Sequence, residues 1–180
     1  MTKTNAPATT IIIGINIIVY ILSMFMPNLS MRFGLIPSAI VYNHEYYRLI
    51  TCMFLHFNMM HILMNMYALY GVGNYLELML GTKQFVVIYM ILGFTTELLS
   101  LIVRIMTGNT FVNSIGASGV IYALIGILIG KLALQIGLEN ALKQNTSTLL
   151  CLVFMCFIPG IDNYAHICGI ILGIVVGMLI

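Results

Sequence analysis

Long, almost uncharged apolar runs recur along this chain, and they constrain its fold more than any other feature. The run ATTIIIGINIIVYILSMFM, residues 8–26, is close to the roughly 20 residues that a helix needs to cross a bilayer. Charged residues make up only 7% of the sequence, against about 25% in soluble domains. Lipid offers no water to pair with the backbone, so only helices or closed barrels can span it. Because the runs are continuous rather than alternating, they predict helices.

The apolar runs predict an all-α, polytopic membrane protein: a six-transmembrane-helix bundle that forms a single domain over residues 1–180. The predicted spans cover residues 8–26, 58–76, 84–106, 118–134, 148–158 and 165–180. The first run lacks the short core and small-residue cleavage site of a signal peptide, so we expect it to be retained. Residues 27–51 are too polar to span and predict an interfacial segment. The tripeptide DNY, residues 162–164, is expected to cap the last helix.

Charge and cysteine patterns exclude several classes of function. The seven basic residues are scattered, which argues against a nucleic-acid partner, and the four cysteines show neither a disulfide framework nor a metal motif. His56 and His61 are five residues apart with no glutamate between them, so the HExxH zinc pattern is absent. We therefore expect no metal and no cofactor, and membrane lipid as the surroundings. The acidic residues form no obvious aspartyl pair, and Glu97 is expected in a structural hydrogen bond or ion pair with Arg104.

Four polar side chains fall where predicted even-numbered spans begin. His61 and Asn65 lie near the start of the second span, four residues apart and so on one helix face. Ser118 begins the fourth span and His166 begins the sixth. In a six-span chain these starts share one leaflet. Polar groups inside a bilayer are costly, and a cluster of them predicts a functional site.

The residue types in this cluster suit nucleophilic catalysis. A serine hydroxyl becomes a good nucleophile when a base such as histidine lies within about 3 Å. Ser118 also begins a helix, where unpaired amides can stabilise an oxyanion. His61 and Asn65 could add side-chain donors there. Gly116 and Gly119 would let the backbone bend and a substrate or helix approach closely.

Two stripes of small residues predict that the fourth and sixth spans pack together. The stripes are Gly119, Ala123, Gly126 and Gly130 on the fourth span, and Gly169, Gly173 and Gly177 below His166 on the sixth. Such packing would bring Ser118 and His166 to one end of a tight seam. Tyr122, one turn below Ser118, would then stack on or brace the histidine.

Together these motifs resemble the rhomboid family of intramembrane serine proteases. The matching pieces are Tyr47-Arg48, where the family usually has Trp-Arg; HFNMMHILMN with His56, His61 and Asn65; Glu77 and Gly81; GASG with Ser118, followed by Tyr122; and AHICGIILG with His166 and Gly169. The resemblance covers residues 47–180, and the first span fits as well.

The resemblance implies a serine endopeptidase with a Ser118–His166 dyad, in which Ser118 is the nucleophile, His166 is the base, and no third acid takes part. It implies an oxyanion site made by His61, Asn65 and the Ser118 amide. Arg48 and Glu77 would hold the first loop and neighbouring helices. The expected partners are single-pass transmembrane substrates, cleaved near their extracytoplasmic ends in the cell membrane.

The resemblance also implies a cytoplasmic amino terminus and an active site that opens outward, which the distribution of lysine and arginine alone does not decide. We expect a small wet cavity lined by His61, Asn65, Asn113 and Ser114. Substrate would enter between the second and fifth spans, past a movable fifth span. Two other classes stay open: a catalytically silent relative that binds membrane helices, and a small transporter or channel.

Overall fold

The computed structural model describes residues 5–155 and 162–180. Ten α-helices lie in these two segments. They are α1 (Pro7–Phe25), α2 (Leu29–Phe33), α3 (Pro37–Asn43), α4 (Arg48–Thr51), α5 (Met59–Leu80), α6 (Thr82–Met106), α7 (Ser118–Ile136), α8 (Leu138–Gln144), α9 (Thr146–Met155) and α10 (Asn163–Leu179). A 3₁₀ turn, Cys52–Phe54, follows α4. The end of the predicted span 148–158 lies outside the described residues.

The fold is all-α and polytopic, as the sequence predicts. Among the described residues, α1, α6 and α7 are each long and apolar enough to cross a membrane. The segment Arg48–Phe54 and α5 would together make a fourth such span, broken by a bend of 94°. The apolar helix α10 is shorter, at 17 residues. Length and composition thus account for three or four spans, and the predicted number of six stays a prediction.

The helix α5 continues to Leu80, four residues past the end of the predicted span 58–76. Glu77 lies in this last turn. Its side chain is buried and accepts hydrogen bonds from the amides of Ala8 and Thr9, at 3.0 and 2.7 Å. The first amides of α1 have no acceptor within their own helix, and they compensate the charge of Glu77. Glu77 therefore stays inside α5.

The polar segment after α1 folds into three short helices that Arg48 holds together. The guanidinium donates hydrogen bonds to the carbonyls of Met31 and Gly34, at 2.9 and 2.5 Å, and forms an ion pair with Glu45. The hydrogen bond from Arg48 lowers the pKa of the Glu45 carboxyl. Tyr47, which stands where the family usually has Trp, donates its hydroxyl proton to Arg32 O at 3.2 Å.

The closest helix packing joins α7 and α10 along the two small-residue stripes. A Cβ added at Gly126 would lie 2.5 Å from Ile170 O. Cβ atoms at Gly169 and Gly173 would overlap the carbonyl oxygens of Gly119 and Ala123. The two backbones therefore touch, as small-xxx-small faces allow. This seam aligns the first turn of α10 with the first turn of α7.

Candidate active site

Ser118 is the first residue of α7, and backbone hydrogen bonds fix the short loop that precedes it. The Gly116 amide donates to Cys52 O at 3.0 Å, and Leu35 and Ser114 pair their backbones at 2.8 and 2.9 Å. Gly116 has φ of +140°, a conformation that favours glycine. A Cβ there would also lie 2.9 Å from the His61 ring. This glycine therefore lets the loop turn into α7 while the His61 imidazole approaches the serine.

His166 lies in the first turn of α10 and faces Ser118. The distance between His166 Nε2 and Ser118 Oγ is 2.8 Å, which is a hydrogen bond. The imidazole stacks on Tyr122, with ring centroids 3.9 Å apart and planes inclined by 14°. Tyr122 in turn donates its hydroxyl proton to Leu152 O at 3.1 Å. The ring of His166 is almost fully buried, at 2% exposure, so stacking and packing define its plane.

His61 and Asn65 lie on α5 beside this pair, but their side chains are placed differently. The His61 ring lies against Gly116, since a Cβ added at Gly116 would be 2.9 Å from the ring atoms Cε1 and Nε2. Asn65 Nδ2 donates one hydrogen bond to the backbone oxygen of His61 at 2.8 Å. Asn58 caps α5 by accepting from the His61 amide at 2.8 Å.

His56 supports His61 through ring contact. The two ring centroids are 5.1 Å apart with an edge-to-face inclination of 66°. His56 is buried, and within the described part of the chain neither of its ring nitrogens has a hydrogen-bond partner. Phe57 stacks on the other side of His61, with centroids 6.1 Å apart. The histidine-rich motif thus forms a small aromatic stack beside the serine.

An ionic cluster that sequence reasoning missed lies next to the dyad. Asp162 and Arg104 form an ion pair at 2.7 Å between Oδ1 and Nη2. Asp162 also accepts a hydrogen bond from Ser114 Oγ and caps α10 by accepting from the Ala165 amide at 3.1 Å. The tripeptide DNY therefore does cap the last helix, as the sequence predicts. The sequence does contain a signal for this pair. Arg104 lies in the last turn of α6, and Asp162 lies at the start of α10, so both belong to the same end of the bundle.

Glu97 has two expected structural roles, a hydrogen bond or an ion pair with Arg104, and the described residues do not form the ion pair. No ion pair joins them among the described residues, and Arg104 turns to Asp162 instead. Seven residues along a helix separate the two backbones by about 10 Å, whereas the start of α10 comes directly against the end of α6. Glu97 is buried beside Gly119, where an added Cβ would meet Glu97 Oε1 at 2.7 Å.

Two residues expected to line a wet cavity bind protein groups instead. Asn113 Nδ2 donates to Ser30 O at 3.1 Å, and Ser114 is bound to Asp162. Among the described residues, no group of three or more His, Cys, Asp or Glu side chains is placed to hold a metal ion. What the geometry brings together is a serine, a histidine at hydrogen-bond distance, and a helix amino terminus.

Comparison with known proteins shows the family to which the chain belongs. The family model for the Rhomboid domain matches residues 43–180. The chain belongs to the rhomboid family. This rhomboid is 33% identical to RHOMBOID-like protein 1 of Arabidopsis thaliana, an alignment covering 79% of the chain and 36% of that relative.

Two further relatives carry names that bear on activity. This rhomboid is 30% identical to Rhomboid-like protease 2 of Toxoplasma gondii, over 84% of the chain and 54% of the relative. It is 31% identical to Inactive RHOMBOID-like protein 8 of Arabidopsis thaliana, over 77% of the chain and 39% of the relative. The chain spans between about a third and about half of the length of these relatives. The family therefore includes members named as a protease and as inactive.

Proposed function

We propose that this rhomboid is an intramembrane serine endopeptidase that cleaves transmembrane-helix substrates with a Ser118–His166 dyad. The observation that carries the proposal is the 2.8 Å contact between His166 Nε2 and Ser118 Oγ. Both groups belong to first turns of apolar helices, where a hydroxyl and an imidazole are otherwise costly.

In the proposed first step, His166 Nε2 accepts the Ser118 hydroxyl proton as Oγ attacks the peptide carbonyl carbon. The tetrahedral intermediate places negative charge on the former carbonyl oxygen. The Ser118 amide at the start of α7 and the neighbouring His61 ring support that oxyanion. The imidazolium then protonates the leaving amine, and the acyl-enzyme forms. Water then attacks the ester carbon as His166 Nε2 accepts its proton, and the imidazolium returns that proton to Ser118 Oγ as the acid product leaves.

The surrounding residues support the dyad in this proposal. Tyr122 fixes the imidazole plane by stacking. Gly116 and Gly119 leave space for their neighbours. A Cβ at Gly116 would clash with the His61 ring, and a Cβ at Gly119 would clash with Glu97 and Ala165. Gly169 brings α10 onto α7, and Arg48 and Glu77 brace the loop and α1. The proposed substrates are single-pass membrane proteins of the cell membrane, reached from an active site that opens outward between α5 and α9.

A fluorophosphonate probe tests the proposal, because it labels only an activated serine. Purified wild-type protein in detergent should become labelled and should cleave reconstituted membrane-helix substrates. Ser118→Ala and His166→Ala should abolish both signals while leaving the protein folded. Ser23→Ala is the matched control: it removes another hydroxyl from an apolar helix, one bound to Tyr20 O, and should change nothing.

The same experiment separates this proposal from the catalytically silent reading. A silent binder of membrane helices would resist the probe in the wild type and yet retain substrate helices on co-purification. Cleavage that persists after Ser118→Ala would contradict the dyad outright.

A further inference from the structure

We propose that Asp162 is a positioning residue, which sets the start of α10 so that His166 meets Ser118. The inference rests on the proposed function for the role of the dyad, but not for the geometry that Asp162 controls. Asp162 does not contact the imidazole ring through any hydrogen bond found in the described part of the chain. It acts on the backbone that carries the ring.

One carboxylate connects three elements at this point. Asp162 Oδ1 accepts from the Ala165 amide at 3.1 Å and pairs with Arg104 at the end of α6. Oδ2 accepts from Ser114, four residues before Ser118. The Asp162 carbonyl accepts from the His166 amide at 3.1 Å. The turn that carries the histidine is thereby tied both to α6 and to the loop that delivers the serine.

The strength of this tie follows from its burial. The side chain of Arg104 is 3% exposed and that of Asp162 is 10% exposed. Arg104 also stacks over Tyr164, with its guanidinium carbon 5.1 Å from the ring centroid. Separating a buried ion pair leaves its charges uncompensated, which is strongly unfavourable. The start of α10 therefore has one strongly preferred position against α6.

The dyad needs such a tie because, in the described part of the chain, no acid binds the second imidazole nitrogen of His166. In a catalytic triad an acid binds the second imidazole nitrogen and sets the ring orientation. Here His166 Nδ1 is buried and has no hydrogen-bond partner among the described residues. The ring is placed by its stack on Tyr122 and by the backbone position of the first turn. A misplacement of about 1 Å at a catalytic group can cost roughly a hundredfold in rate.

Kinetics on charge variants test the role. Asp162→Asn keeps a residue that caps helices well and removes the charge that pairs with Arg104. We expect kcat per folded molecule to fall roughly tenfold to a hundredfold, with KM unchanged. Arg104→Lys, which retains a cation, should keep more activity than Arg104→Gln. In the double variant Arg104→Gln/Asp162→Asn no unpaired charge remains, so the two losses should not multiply.

Glu139→Gln is the matched control, since it makes the same change in an exposed ion pair with Lys143. It should leave kcat and KM unchanged. If Asp162→Asn does not fold, Ser114→Ala removes one contact and leaves the ion pair intact, and it should lower kcat to a smaller degree. An unchanged kcat per folded molecule in these variants would overturn the proposal.

Amide hydrogen exchange gives a readout that needs no catalysis. In Asp162→Asn the Ala165 and His166 amides should exchange at least about tenfold faster than in the wild type, because local opening at this turn becomes easier. The amides of Gly173 and Gly177, deep in the seam, should not change. A wild type that neither cleaves nor labels would refute the proposed function while exchange still reported on Asp162. Equal exchange at Ala165 and His166 in both proteins would refute the positioning role.

Discussion

The carboxylate of Glu77 accepts hydrogen bonds from both the amide and the hydroxyl of Thr9, at 2.7 and 2.8 Å. It also accepts from the Ala8 amide and the Thr82 hydroxyl. A charged side chain near the end of α5 therefore binds amides in the first turn of α1 and the hydroxyl of the first residue of α6. Its side chain is 2% exposed, so these four protein groups replace water.

Glu77→Gln should destabilise the folded protein by about 2 kcal/mol, because hydrogen bonds to a charged acceptor contribute roughly 1.5–3 kcal/mol. A neutral amide offers one acceptor oxygen and interacts more weakly with the exposed amides at the start of α1. Thermal unfolding in detergent measures the loss, and fluorophosphonate labelling of the protein that remains folded should be unchanged. A variant as stable as the wild type would contradict the capping role.

Gly173→Ala should separate α7 from α10, because the new Cβ would overlap the Ala123 carbonyl oxygen. Overpacking of this kind costs roughly 1–3 kcal/mol, and the displaced α10 should also slow labelling of Ser118. Gly71→Ala is the control, as a Cβ at this position of α5 has no neighbour within 4 Å. It should be neutral or slightly stabilising, since alanine favours helix more than glycine does. Equal unfolding temperatures for the two variants would exclude a tight seam.

Gly116→Ala should reduce probe labelling strongly, since the added Cβ would meet the His61 ring at 2.9 Å in a backbone with φ of +140°. Gly108→Ala separates the two causes: Gly108 also has a positive φ, +74°, but an added Cβ there has no neighbour within 4 Å. It should cost about 1 kcal/mol in stability from backbone strain and leave the labelling rate of folded protein intact. Equal labelling rates for the two variants would show that contact with His61 is unimportant.

Tyr122→Leu should slow labelling of Ser118 roughly fivefold, which corresponds to the loss of about 1 kcal/mol of ring stacking on His166. Tyr122→Phe keeps the ring and removes the hydroxyl that donates to Leu152 O. It should therefore react nearly as fast as the wild type. The second-order rate constant for the probe measures both. A reversed order, with Phe slower than Leu, would show that the hydroxyl matters more than the stack.

Much of the architecture was predictable because lipid imposes local rules. A continuous apolar run must form a helix to satisfy its own backbone, and this alone locates the helical segments. The spacing of glycines at four-residue intervals predicted the α7–α10 seam, since only residues on one face can touch a neighbouring helix. Because even-numbered spans all begin on the same side of a membrane, the sequence also predicted that Ser118 and His166 lie at one end of the bundle.

Contacts between distant parts of the chain escaped the sequence, as the two acidic residues illustrate. The sequence predicted that Glu77 holds neighbouring helices but not which residues it binds. Glu97 looked like a partner for Arg104, because a linear pattern shows only neighbours on the same helix. Whether Glu77 meets α1, and whether Arg104 meets Asp162, depends on which helix ends come together after packing. Periodicity and composition therefore define the helices. The ion pair of Arg104 with Asp162 and the hydrogen bond of Ala8 to Glu77 join residues 58 and 69 positions apart. Packing decides both contacts, since a buried charge binds whichever cation or hydrogen-bond donor the neighbouring helices bring within reach.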